Sequence, residues 1–124
     1  MNSTRKDKIM VQPDFEEMFA MVDTIETVMR EVKRLEVLIG AMEADTVVRA
    51  TTDPSLSPDG KVLSATFVIN TYKVTGIKGE ITPFRYQLGE KESELSRAKG
   101  AFELMKLNFE MWRTEQANQR ATSF

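Results

Sequence analysis

Four bases in the last quarter of the chain stand one heptad apart: Lys99, Lys106, Arg113 and Arg120. On a helix they form one column with about 10.5 Å between neighbours, a spacing that could follow the phosphates of a nucleic-acid backbone. Arg85 and Arg97 lie close by in sequence, and Phe102, Phe109 and Trp112 carry rings on which bases could stack. The same residues also fit a packed helix, with the aromatics in its core and the bases pairing along its flank. The net charge of −2 favours that second reading, because autonomous binding to nucleic acid depends on neutralising phosphates.

No catalytic set accompanies the column. The chain has no histidine and no cysteine, which removes the usual acid–base group near neutral pH, the nucleophilic triads and most zinc sites. Carboxylates could still act in pairs, but Glu16, Glu17, Glu31, Glu36, Glu43 and Asp45 read as solvated helix flanks. Glu90, Glu92 and Glu94 read as surface residues favoured by the positive end of a helix dipole. Gly76-Ile77-Lys78-Gly79 lacks the rest of a phosphate-loop or dinucleotide fingerprint and reads as a turn, as does Asp59-Gly60-Lys61. We expect no enzyme, no cofactor and no metal.

Two heptad stretches must position these residues. In the first, Met18, Ile25, Val32 and Ile39 fall at a, and Met21, Val28, Leu35 and Met42 fall at d. Four heptads without a polar interruption predict a helix with a packed seam, running from about residue 13 to residue 50. Phe15, Phe19, Val22, Met29 and Leu38 widen its apolar face. In the second stretch Leu88, Leu95, Ala98, Phe102, Met105, Phe109 and Trp112 fill a and d, with Lys91 the one exception. That pattern predicts a helix from about residue 83 to residue 118, and the basic column occupies its e positions. Glu36 and Glu43 at e, and Glu17, Glu31 and Asp45 at g, give the first helix an acidic edge. Such edges choose partner and direction, so we expect the two long helices to pack together, within one chain or between chains.

Asp53-Pro54-Ser55-Leu56-Ser57-Pro58-Asp59-Gly60 breaks the pattern into a loop. Residues 62–75 then fit two descriptions. Leu63, Ala65, Phe67 and Ile69 alternate as in a strand; yet Ser64 suits an N-cap, and Val62, Ala65, Ile69 and Tyr72 form a helical stripe. Leu63 and Val68 could also form a hydrophobic staple across the start of such a helix. We expect a short helix, with a small β-hairpin as the alternative. Gly76 and Gly79 end this segment, and Thr82-Pro83 reads as the cap and first residue of the last helix. Gly40, Gly89 and Gly100 fall inside the long helices, where each costs about 1 kcal/mol relative to alanine, and close backbone packing or a kink is the expected compensation.

The expected fold is therefore all-α, with one helical domain over residues 13–119 between polar tails, 1–12 and 120–124. No run approaches the roughly 18 apolar residues of a membrane span, and residues 1–10 lack the apolar core of a secretory signal. With no cysteine, a reducing cytoplasm fits. Charge is unevenly distributed: residues 11–60 hold four bases and eleven acids, a net of −7, and residues 61–124 hold ten bases and seven acids, a net of +3. We expect a homo-oligomer or a protein partner, because the seam together with a second stripe of Leu104, Leu107 and Met111 exceeds what one hairpin hides.

The order of parts resembles the small phage recombination mediators, helical ring-forming proteins that load a recombinase onto single-stranded DNA. A charged heptad helix around Arg34-Leu35-Glu36 leads to a loop ending in Asp59-Gly60-Lys61, then to a short segment and a long helix ending in Phe109-Glu110-Met111-Trp112-Arg113. The resemblance covers about residues 30–120 and implies DNA contact through Lys99, Lys106, Arg113 and Arg120. The acidic first half departs from that pattern.

Overall fold

The structure, a computed structural model, describes residues 12–57 and 59–122. The expected N-terminal tail lies outside these residues, apart from Gln12. Three α-helices follow in order: α1 Phe15–Thr52, α2 Ala65–Thr71 and α3 Thr82–Thr122, with a 3-10 turn Pro54–Leu56 after α1. No strand occurs among the described residues, so the fold is all-α and the middle segment is a short helix, not a hairpin. No helix is long and apolar enough to cross a membrane.

Local chemistry explains the boundaries. Asp14 caps α1: its Oδ1 accepts the Glu17 amide at 3.1 Å, and its carbonyl accepts the Met18 amide at 3.1 Å. After α1, the Asp53 carboxylate accepts both the amide and the hydroxyl of Ser55, at 3.0 and 2.6 Å, and Pro54 starts the 3-10 turn. Ser64 caps α2, its Oγ accepting the Phe67 amide at 3.2 Å. The helical face differs from the expected stripe, however. Val62, Ala65 and Ile69 are exposed, and Val68 is the residue driven inside. α3 begins where the Ile81 carbonyl accepts the Arg85 amide, one residue before the expected cap at Thr82. It continues to Thr122, so residues 120–122 are helical, not tail.

The chain divides into two compact units. The first joins the chain up to Thr27 with Leu95 onward; the second is Val28–Glu94. In the second unit α1 and α3 run antiparallel, as the pairs Glu31–Lys91 and Glu43–Arg85 require, and α2 with the turn after it closes over them. Every buried apolar side chain belongs to this unit: Val28, Leu35, Ile39, Ala50, Val68 and Ile81. Of its remaining seam residues, Val32, Met42 and Leu88 are half-buried. The seam runs on through Thr46, fully buried at the next a position, whose Oγ1 has no hydrogen-bond partner among the described residues.

Gly76 makes the turn before α3. Its φ of +91° suits glycine, and a Cβ there would stand 2.6 Å from the Glu80 carboxyl carbon. The helical glycines behave otherwise. A Cβ added at Gly40, Gly89 or Gly100 meets nothing within 4 Å, so close packing does not compensate for them.

Candidate functional site

In the first unit α1 and α3 also run antiparallel, with Phe15 near the start of α1 against Phe109 toward the end of α3. The rings meet edge-on at 5.5 Å, and Trp112 stacks on Phe109 at 6.2 Å and 28°. Met18, Met21, Ile25, Leu95, Ala98, Phe102, Met105, Phe109 and Trp112 all lie along this seam, and each is half-buried. None is sealed from solvent, because two helices alone cover a seam from one direction and the described residues of this unit supply no third element. The aromatics are therefore packing residues first, as their a and d positions imply.

The basic column lies on the flank of α3, and all four members are exposed. Its pairing is not the one expected. Lys106 reaches Glu103 at 3.1 Å and Arg113 reaches Glu110 at 3.9 Å, each one turn back on its own helix. Lys106 also sits 5.6 Å above the Phe102 ring, and Arg113 lies 6.0 Å from that of Phe109. Arg120 donates from Nε to the Gln116 carbonyl. Lys99 makes no ion pair among the described residues. The column therefore buttresses the aromatic seam from outside while keeping its cations at the surface.

Opposing charges do join the helices, but in the second unit and through other residues. Arg85, grouped by sequence with the nucleic-acid candidates, is instead a clamp. Its Nη2 donates to Glu43 Oε1 at 2.7 Å and its Nε to the Val74 carbonyl, so it fastens α3 to α1 and to the segment after α2. Lys91, the polar exception in the α3 seam, reaches Glu31 at 2.8 Å and Glu94 at 3.2 Å. The hydrogen bond and charge of Lys91 hold the Glu31 carboxyl below its ordinary range, and those of Glu31 and Glu94 raise Lys91. Arg49 bridges Asp45 and Glu80, and the Glu80 carboxylate also accepts the Lys78 amide at 2.7 Å. Glu31, Glu43 and Asp45 are thus ion-pair partners, not merely solvated flanks. Sequence spacing missed Arg85 because its partner Glu43 is 42 positions away.

The back of α3 in the first unit carries an exposed apolar stripe. Leu104, Leu107 and Met111 occupy c and f, about 160° around the helix from the a/d seam. They are 64, 56 and 48% exposed. On α1 of the same unit Phe19 is 70% exposed. Among the described residues no group of three His, Cys, Asp or Glu is placed to hold a metal ion. A groove in the second unit, lined by Gly40, Ala44, Val47 and Ile69 with Glu43 and Lys73 at its rim, is open and holds only one weak ion pair, at 3.9 Å.

Comparison with protein-family models, curated proteins and solved structures gave no significant match to the chain.

Proposed function

We propose that the chain is a non-catalytic, oligomerising adaptor that works through helix–helix contacts made by its first unit. One observation carries this reading: that unit buries none of its described residues, although these include four phenylalanines, a tryptophan and several methionines and leucines. A helix that is apolar on opposite faces serves two neighbours. The a/d face of α3 has α1 for its neighbour, and the c/f face has none among the described residues. Contiguous exposed apolar surface of this kind marks interaction sites. The methionines add adaptable packing, which suits a contact surface.

A Leu104→Glu/Leu107→Glu variant tests the reading. Both positions point away from the seam, so helicity by circular dichroism should match the unaltered chain. Light scattering at micromolar concentration should show a multiple of the chain mass for the unaltered protein and a single chain for the variant. Equal masses for the two proteins would overturn the reading.

A second reading makes the chain an accessory factor for single-stranded DNA and its recombinase, supported by the exposed column Lys99, Lys106, Arg113 and Arg120. Glu103 and Glu110 offset two of those four charges, which places it second. It requires single-strand binding that weakens steeply with salt and falls on Lys106→Glu/Arg113→Glu; an absence of binding at low salt eliminates it.

A further inference from the structure

The apolar stripe on the back of α3 contains one residue that mild chemistry can change. Met111 is exposed in line with Leu104 and Leu107, where a third leucine would supply the same apolar contact without sulfur. The chain has no cysteine, so its eight methionine thioethers are the only sulfur that an oxidant can meet. Of the six among the described residues, Met18, Met21, Met42 and Met105 are half-buried, and Met29 and Met111 are exposed. Met29 lies on α1 in the second unit, outside the stripe. Exposure therefore selects two sulfurs for oxidation, and position gives one of them a consequence.

We infer that Met111 is an oxidation site that controls the contact made by this stripe, with hydrogen peroxide as the oxidant. The sulfur lone pair attacks one peroxide oxygen and the O–O bond breaks. Sulfur gains that oxygen and gives up two electrons; the departing hydroxide takes the remaining proton and leaves as water. A flexible apolar thioether thereby becomes a polar, chiral sulfoxide. Covering its S=O dipole with apolar groups strips the water from it without supplying a hydrogen-bond donor, so the contact weakens.

The change is reversible. A methionine sulfoxide reductase, drawing on two thiols, returns the thioether and releases water and a disulfide. Association and oxidation compete for the same face, because a covered Met111 is shielded from peroxide. The inference rests on the reading of the stripe as an association surface, and it adds how that association is regulated.

The experiment treats the full chain with hydrogen peroxide and follows each methionine by peptide mass spectrometry, with sedimentation equilibrium for mass and circular dichroism for folding. Met29 and Met111 should convert ahead of Met105. Conversion of Met111 should weaken self-association about tenfold or more with helicity retained, and the reductase should restore it. Met111→Leu should associate like the unaltered chain and keep its mass in peroxide, whereas Met29→Leu should stay sensitive. Dilution below the association midpoint should speed conversion of Met111 and leave that of Met29 unchanged. Full conversion of Met111 with association intact overturns the inference, as does a Met111→Leu chain that still dissociates in peroxide. In either case, dissociation of Leu104→Glu/Leu107→Glu leaves the adaptor reading standing. An unaltered chain that is already a monomer before peroxide overturns both.

Discussion

Lys91 Nζ lies 2.8 Å from Glu31 Oε2, joining the single polar position in the α3 seam to the acidic edge of α1. A lysine at a d position leaves a charge beside apolar neighbours unless a carboxylate meets it, and here two do, Glu31 and Glu94. The pair marks register more than it adds stability, since both side chains remain over a third exposed. Shifting one helix by a turn would separate Lys91 from Glu31 and leave the lysine among seam residues.

That pair predicts a pH signature. Glu31 is lowered from an ordinary value of 4.5, so its contribution is complete above that pH and is lost as pH falls through the lowered value. Lys91 is raised from 10.5, so its contribution is complete below that pH and is lost as pH rises through the raised value. Thermal midpoints of the unaltered chain and of Glu31→Gln should differ most between these limits and converge beyond both. A constant difference from pH 3 to pH 9 would contradict the assignment.

Thr46 presents the opposite situation, a fully buried hydroxyl with no hydrogen-bond partner among the described residues. Leaving such a group unpaired costs about 1–3 kcal/mol, and valine has nearly the same shape. Thr46→Val should raise the urea midpoint by the equivalent of about 1 kcal/mol with an unchanged slope. A lower midpoint would show that the hydroxyl has a partner after all.

The glycines should separate by sign. Gly89→Ala and Gly100→Ala add a methyl group into open space within α3, and each should stabilise by about 1 kcal/mol through helix propensity. Gly76→Ala must hold a side chain at φ +91° against the Glu80 carboxylate and should destabilise by more than about 1 kcal/mol. Denaturant melts of the three variants check the ordering.

Arg85 links three segments, so its loss should exceed that of an ordinary surface base. Arg85→Ala leaves Glu43, with its side chain only 23% exposed, without its closest cation and frees the Val74 carbonyl. Hydrogen bonds to charged groups contribute about 1.5–3 kcal/mol, and partial exposure places this one toward the lower end. Arg97→Ala, on the exposed surface of α3, is the matched control and should change stability by less than about 0.5 kcal/mol. Equal effects of the two would remove the clamp from the account.

The helices could be read from residue order because their signals are local. Apolar residues at steps of three and four place α1 and α3, and Ser64, Pro54 and the glycines mark where chains of amide bonds stop. The buried side of α2 was misread because Val62, Ala65, Ile69 and Tyr72 and the alternating set both look regular in isolation. Val68 is the fully buried residue of α2; the staple signal with Leu63 marks it locally, but where the neighbour that covers it will be is not recorded in the flanking residues. Arg85 was likewise placed with the phosphate-binding candidates because its charge is visible in the sequence and Glu43 is remote.

The largest difference lies between the two units. Met18–Ile25 and Val28–Ile39 follow one uninterrupted heptad, and residue types alone do not separate them. In space the second stretch is covered by α2 and the turn ending at Ile81, so its seam closes. Among the described residues the first has only the end of α3 beside it, and its seam stays half open while Leu104, Leu107 and Met111 are exposed. Periodicity states which face of a helix is apolar. How many neighbours arrive to cover that face depends on chain-distant packing.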